Sequence, residues 1–160
     1  MEYPKKSYTV LEATKKMEHF CAYQERCHKE VRAKLKTLGI IPMAVDQIMG
    51  HLIQENYLNE ERFAKSYARG KFNIKKWGRK RIVQELKQRD ISVYNIKAAL
   101  SEIPEEVYRE AFETLAQKRW HQLKDGKLEI KKRKLSHYLL YRGWESHLVY
   151  DMVHQLSATD

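Results

Sequence analysis

Three stretches of the chain repeat one arrangement of apolar and polar positions. In the first, Val31 and Leu35 stand four residues apart, Gly39-Ile40 follows as a turn, and Val45 and Ile48 open a second helical stretch. Ile82, Leu86, Asp90-Ile91, Ile96 and Ala99 reproduce those steps, and so do Leu135, Leu139, Gly143-Trp144, Val149 and Met152. Equivalent steps have equal lengths, and the segments lie 51 and then 53 residues apart. An apolar pair at i, i+4 arises easily by chance; its agreement with a turn and a second helix, three times over, marks an internal repeat.

Each frame describes a helix ending in a left-handed turn, where glycine, or an acidic or amide residue in its place, carries a positive φ with least strain. Gly39 and Gly143 suit that position, and Asp90 is a tolerable substitute. The apolar residue after the turn is expected to fold back on the helix just completed. A further amphipathic stretch precedes each frame, roughly 9–22, 60–72 and 105–120, so each unit should hold three helices. Asn59 reads as an N-cap ahead of Glu60 and Glu61, whose charges complement the helix dipole. Ser92 and Ser101 read as further caps, and Pro42 and Pro104 as first-turn prolines. A triplet of about 50 residues buries only a marginal core alone. The expected fold is therefore all-α: three tandem three-helix repeats stacked into an elongated, curved array in which each completes its neighbour's interior. The expected boundaries are an N-terminal tail at 1–8 and repeats at 9–56, 57–104 and 105–157.

Composition agrees with that picture and adds a charge. Hydrophobic residues make up 42% and charged residues 32% of the 160-residue chain, which suits a folded protein with a modest core. Only 6 Gly and 3 Pro leave little turn chemistry for a sandwich of short strands. The formal net charge of +10 sets up a field that attracts polyanions or an acidic partner surface. Its excess sits in the middle of the chain: residues 57–104 hold 12 Lys/Arg against 5 Asp/Glu, compared with 9 against 7 before and 10 against 9 after. Cys21 and Cys27 are too few for a disulfide framework and lack Cys-x-x-Cys spacing, which fits a reducing cytoplasm. No apolar run approaches the roughly 20 residues that cross a bilayer, and the N-terminus lacks a signal-peptide h-region, so a soluble intracellular protein without a membrane partner is expected.

The densest candidate for binding runs from Lys71 to Arg81, where Lys71, Lys75, Lys76, Arg79, Lys80 and Arg81 surround Phe72 and Trp77. Such cations neutralise phosphates, and a protruding aromatic ring packs on a base or in a partner's apolar groove. The same residues also fit a solvated linker with its aromatics turned into the core. A second basic run, Lys131, Lys132, Arg133 and Lys134, wraps most of the way round a helix, so some of its charges must face away from any single ligand. It fits a solvated helix start as well as an extension of the first patch. Nothing in the sequence suggests catalysis or a cofactor. Phosphate-loop, nucleophile-elbow and His-Glu-x-x-His patterns are all missing, and the paired acids Glu60-Glu61 and Glu105-Glu106 sit at helix starts. Metal binding is not expected either. Cys27 and His28 are adjacent and cannot share a helix face, while His147 and His154 lie about 10 Å apart along a helix axis.

The segment Tyr57-Leu58-Asn59-Glu60-Glu61-Arg62-Phe63-Ala64, then Trp77-Gly78-Arg79-Lys80-Arg81-Ile82-Val83-Gln84-Glu85-Leu86 and Ile91, resembles the RecX family of recombinase regulators. Tyr23, Arg26-Cys27, Glu30-Val31 and Lys34-Leu35 with Gly39 are similar to the signature of that family's first repeat, and Arg142-Gly143-Trp144 to its C-terminal turn. The resemblance runs from about residue 9 to residue 156. It implies three tandem three-helix repeats and no catalytic site. It also implies a protein of DNA repair and the SOS response that binds the RecA recombinase filament and restrains its strand exchange, ATP turnover and co-protease activity; a monomer is expected. Single- or double-stranded DNA is a further candidate partner. Two other readings stay open: a sequence-nonspecific DNA-binding helical protein whose 79–88 helix lies on DNA like a helix-turn-helix reader, and a scaffold that presents helices to another protein.

Overall fold

The computed structural model describes residues 6–124 and 126–159; residues 1–5 of the expected N-terminal tail, Asp125 beside the second basic run, and Asp160 lie outside them. The described residues form α-helices joined by short turns, with no strand among them. The first triplet is α1 (Val10–Tyr23), α2 (His28–Thr37) and α3 (Pro42–Gln54). The second is α4 (Glu60–Asn73), α5 (Arg79–Gln88) and α6 (Val93–Ser101), and the third α7 (Glu105–Gln122), α8 (Leu128–Tyr141) and α9 (Ser146–Ala158). Helices pack chiefly within their own triplet, most extensively α4 on α6, giving the expected helical repeat array.

The repeat turn takes one form in all three units. Gly39, Asp90 and Gly143 have φ of 77°, 58° and 90°. In each unit the following amide donates back to the helix: Ile40 to Leu35 at 3.2 Å, Ile91 to Leu86 at 3.1 Å and Trp144 to Leu139 at 3.3 Å. These six-to-one bonds satisfy carbonyls that a helix end would otherwise leave open. The residue after the turn is buried in two units, Ile91 and Trp144, and half-buried in the first, Ile40. Of the three turns only the second holds a residue with a Cβ at positive φ. Asp90→Gly should therefore raise stability by about 0.5 kcal/mol, because the exposed Lys29–Asp90 pair it removes, at 3.9 Å, is weak. A urea midpoint no higher than the parent's would contradict this.

Caps follow the sequence with two exceptions. Thr9 forms a capping box with Glu12, and Asn59 and Ser92 accept from the amides of Arg62 and Asn95. Ser101, expected to start a helix, ends α6 instead, its hydroxyl donating to the Ala98 carbonyl. Pro42 opens α3 as expected, but Pro104 stands one position before the first turn, as the N-cap of α7.

The interior is not shared evenly along the array. Triplets two and three enclose one continuous core around Phe72, Tyr108, Phe112, Trp120 and Trp144, to which the first triplet contributes only Cys27. The first triplet has its own core around Met17, Val31, Leu35, Ile48 and Leu52. Its joint to the second is polar. Arg62 Nε donates to Glu25 at 2.6 Å, Glu60 pairs with His28 at 3.3 Å, Arg89 with Glu30 at 3.8 Å, and Lys29 Nζ donates to the Gln88 carbonyl at 2.8 Å. The expectation that every repeat completes its neighbour's interior thus holds broadly for one joint; at the other only Cys27 and Leu58 are exchanged between the cores, and charged contacts supply the rest. Arg62 also reaches Asn56 and the carbonyls of Asn56 and Tyr57. Arg62→Ala should cost about 1 kcal/mol, the net worth of a half-exposed charged hydrogen-bond set. Its hydrogen exchange should quicken in α1–α3 and not in α7–α9, and a uniform change would refute the distinction between the joints.

Candidate functional site

The loop between α4 and α5 carries the first basic segment, and the third triplet fixes its shape. Gly78 N–H donates to the Arg142 carbonyl at 2.8 Å, Lys80 N–H to the Gly143 carbonyl at 3.0 Å, and Trp144 Nε1 to the Lys76 carbonyl at 3.1 Å. Carbonyls at the C-terminal end of α8 thereby cap the N-terminus of α5, with the two dipoles aligned head to tail. The backbones touch: a Cβ on Gly78 would come within 2.6 Å of Trp144 Cα, and one on Gly143 within 2.8 Å of Arg81 Cα. Only paired glycines allow this clasp.

Arg79 belongs to the clasp. No side chain of its own helix caps its amide, which donates instead to the Tyr108 hydroxyl at 3.0 Å. Its guanidinium lies 3.7 Å from the centroid of the Tyr108 ring, 3.3 Å from Glu145, and against Glu105. Tyr108 in turn donates to Glu145. Burial, together with that hydrogen bond, holds the Tyr108 phenol well above its usual range, so it stays a donor. For Arg79, burial opposes the charge, but the Glu105 hydrogen bond and the surrounding negative groups outweigh it and the pKa rises.

The other predicted residues divide by exposure. Phe72 is buried in the core. Trp77 is half-buried, its ring lying between Lys71 Nζ at 5.0 Å and the Arg81 guanidinium at 4.2 Å. Lys71 also covers Tyr67 at 5.4 Å, and Arg89 covers the same ring at 4.9 Å. On the other side Arg81 reaches Tyr141, with its guanidinium 4.9 Å from the ring. Tyr141 lines a groove of about 610 Å³ with Arg133, Lys134, Tyr138 and Arg142, where Arg142 and Arg119 lie over Tyr138 at 3.7 and 4.8 Å. The result is one strip of alternating cations and rings: Arg89, Tyr67, Lys71, Trp77, Arg81, Tyr141, and then the third-triplet groove. Lys75, Lys76 and Lys80 are exposed beside it. Such cation–ring contacts stiffen long side chains while leaving positive charge toward solvent.

The second basic run splits as a helix requires. It occupies the fourth to seventh residues of α8 and does not begin the helix. Arg133 and Lys134 line the groove with Tyr141, while Lys131 lies over the Trp120 ring at 4.0 Å and Lys132 pairs with Glu129 at 3.5 Å. Tyr67, Arg89, Tyr138, Tyr141 and Arg142 join the strip unannounced by the sequence. Their only signal was tyrosine at helical positions near arginine; Tyr141 is exposed, whereas Tyr67 and Tyr138 are half-buried against the core. Among the described residues, no group of three or more His, Cys, Asp or Glu side chains could hold a metal ion, and no helix is long and apolar enough to cross a membrane. Cys21 and Cys27 are free and buried, and burial raises the Cys21 thiol to about 11.

Comparison with known proteins places this geometry. The model of the RecX second three-helix domain matches residues 59–100, and that of the RecX third three-helix domain matches residues 106–153. Among curated relatives, Regulatory protein RecX of Oceanobacillus iheyensis is 24% identical over 89% of this chain and 52% of its own length. The RecX of Lactobacillus johnsonii is 31% identical over 86% and 51%, and that of Serratia proteamaculans 33% identical over 70% and 65%. The chain thus spans about half the length of the first two. The crystal structure of RecX from Lactobacillus salivarius superposes with a TM-score of 0.78 at 25% identity, covering 93% of this chain and 97% of that one. A second crystal structure of regulatory protein RecX gives 0.80 at 26% identity, covering 91% and 73%.

Proposed function

The chain belongs to the RecX family, and from that premise we propose that it is a non-enzymatic regulator that binds the RecA recombinase filament on DNA and restrains its activity. The observation that carries the proposal is the strip of cations and rings that crosses from the second triplet to the third without a break. A helical filament presents acidic protein lobes and phosphates along one groove. An array that touches successive protomers gains avidity from several weak contacts, and the clasp holds two of its three units in fixed register. Restraint then means that the bridged filament favours a state of lower ATP turnover, with strand exchange and co-protease activity falling together.

A reader of naked DNA is the weaker alternative. Helix-turn-helix proteins place the N-terminal residues of the recognition helix on base edges. Here the first turn of α5 is occupied: its amides donate to the third triplet, and Arg79 is held by Glu105 and Glu145. The deciding experiment measures recombinase ATP turnover on single-stranded DNA with and without this protein, at a salt concentration that abolishes its binding to naked DNA. Turnover should fall. Unchanged turnover, together with equal affinity for filament and isolated recombinase, would refute the proposal.

A further inference from the structure

The first triplet carries a groove that neither basic segment predicts. It measures about 680 Å³ and is lined chiefly by Lys16, His19, Phe20 and Tyr23 of α1, with Arg26 and Lys34. Its position follows the repeat. Ala13, Met17 and Cys21 are buried on α1, and Ala64, Ala68 and Phe72, each 51 residues later, are buried on α4, which fixes the register of the two helices. In that register Lys16, His19, Phe20 and Tyr23 correspond to Tyr67, Gly70, Lys71 and Ile74, all of which line the groove beside the strip in the second triplet. Arg26 corresponds to Trp77. Each of these two stacks on its own triplet's equivalent side chain, Arg26 over Phe20 at 3.7 Å and Trp77 under Lys71 at 5.0 Å. Ring and cation have changed places while the pairing is kept.

The charge of the two grooves differs. Glu25 and Glu30 enter the second, whereas no carboxylate lines the first. Within the first groove, the Arg26 guanidinium is pinned flat by its Nε–H donating to the Phe20 carbonyl at 3.0 Å, and Tyr23 is 83% exposed. Flat open faces set among cations suit a ligand that brings both planar rings and regularly spaced negative charge. Stacking on aromatic and guanidinium planes with phosphates neutralised alongside is how single strands are held without regard to sequence. An acidic protein surface would satisfy the charges but would leave the Tyr23 ring without a partner.

We infer that the first triplet holds a station for single-stranded nucleic acid, with Tyr23 and the Arg26 guanidinium as stacking planes and Lys16 and Lys34 as phosphate contacts. The station deepens the filament reading and rests on it for the source of the strand. The test titrates a short fluorescein-labelled single-stranded oligonucleotide of mixed sequence by anisotropy at several salt concentrations, using the whole chain. Tyr23→Ser with Lys34→Gln should weaken binding about tenfold and lower the salt slope by roughly 0.7 for the lost phosphate contact. Lys36→Gln, an exposed change on the same helix outside the groove, should change affinity less than about twofold. If Lys34→Gln disturbs the thermal melt, Tyr23→Ser with Lys16→Gln replaces it, both sites being exposed. Equal affinity in all variants overturns the station, as does an equal loss with Lys36→Gln. Competition by polyglutamate as effective as competition by unlabelled strand overturns it in favour of an acidic protein partner. The wild-type protein's effect on recombinase ATP turnover, measured alongside, separates the two readings. Restraint of turnover with unaltered variant affinity sinks the station alone, and lost variant affinity without restraint sinks the filament reading alone.

Discussion

Gly143→Ala is expected to cost about 4 kcal/mol, while Gly39→Ala, at the same position of the first repeat turn, should cost only about 1 kcal/mol. Both glycines have positive φ, 90° and 77°, so both substitutions bear the strain of placing a Cβ in that region. They differ in surroundings. A Cβ at Gly39 meets nothing within 4 Å, whereas one at Gly143 runs into Arg81, within 2.8 Å of its Cα. That neighbour is backbone at the start of α5 and cannot swing aside. Relief requires the two triplets to separate, which breaks the Gly78–Arg142 and Lys80–Gly143 hydrogen bonds and unseats the buried Trp144. Urea unfolding followed by tryptophan fluorescence reports directly on this, since Trp77 and Trp144 lie at the joint and Trp120 in the shared core. Gly78→Ala should resemble Gly143→Ala, because the same contact is then blocked from its other side. If Gly39→Ala and Gly143→Ala prove equally costly, the close approach of the two backbones is not what holds the triplets together.

The repeat was legible because its signal is local. A turn at fixed distance from an i, i+4 apolar pair can be read within twenty residues, and Asp90 took its left-handed role as chemistry predicts. The joints were not legible, because they are made by residues far apart in the chain. Arg79 looks the same in sequence as Lys80 and Arg81; only Glu105 and Glu145, 26 and 66 residues away, make it a structural residue. Gly78 was visible as part of a motif but not as half of a backbone contact, since its partner lies in another repeat. Among the residues of the strip the sequence singled out Trp77 and the cations at 71–81 and 131–134, but not Tyr67, Tyr138, Tyr141, Arg89 or Arg142, which adjoin them in space. Tyr141 meets Arg81 only after the third triplet docks on the second, and Tyr138 meets Arg119 only once α7 and α8 pack within the third. The periodic apolar pattern also concealed the difference between the two joints, which depends on which charges meet across them.

That division between structural and surface cations yields the second large effect. Lys75, Lys76 and Lys80 are exposed beside the strip and take no part in holding Trp144 or Tyr108 through their side chains. Reversing them together to glutamate should leave the urea midpoint close to the parent value, while raising the amount of protein needed to halve recombinase ATP turnover by more than about tenfold. Tenfold corresponds to about 1.4 kcal/mol, so the loss is at least about 0.5 kcal/mol per reversed charge, modest for surface charges in a screened setting. Arg79→Ala should do the opposite. Its guanidinium is engaged by Tyr108, Glu105 and Glu145, so removing it leaves Glu145 half-buried without its cation and should lower stability by about 2 kcal/mol. Restraint of turnover per folded molecule should nevertheless change little. If the triple reversal leaves regulation intact, the lysines beside the strip are only a solvated surface and contact with the filament lies elsewhere. If Arg79→Ala abolishes regulation in a protein of undiminished stability, Arg79 contacts the partner itself, and its place in the clasp does not describe its role.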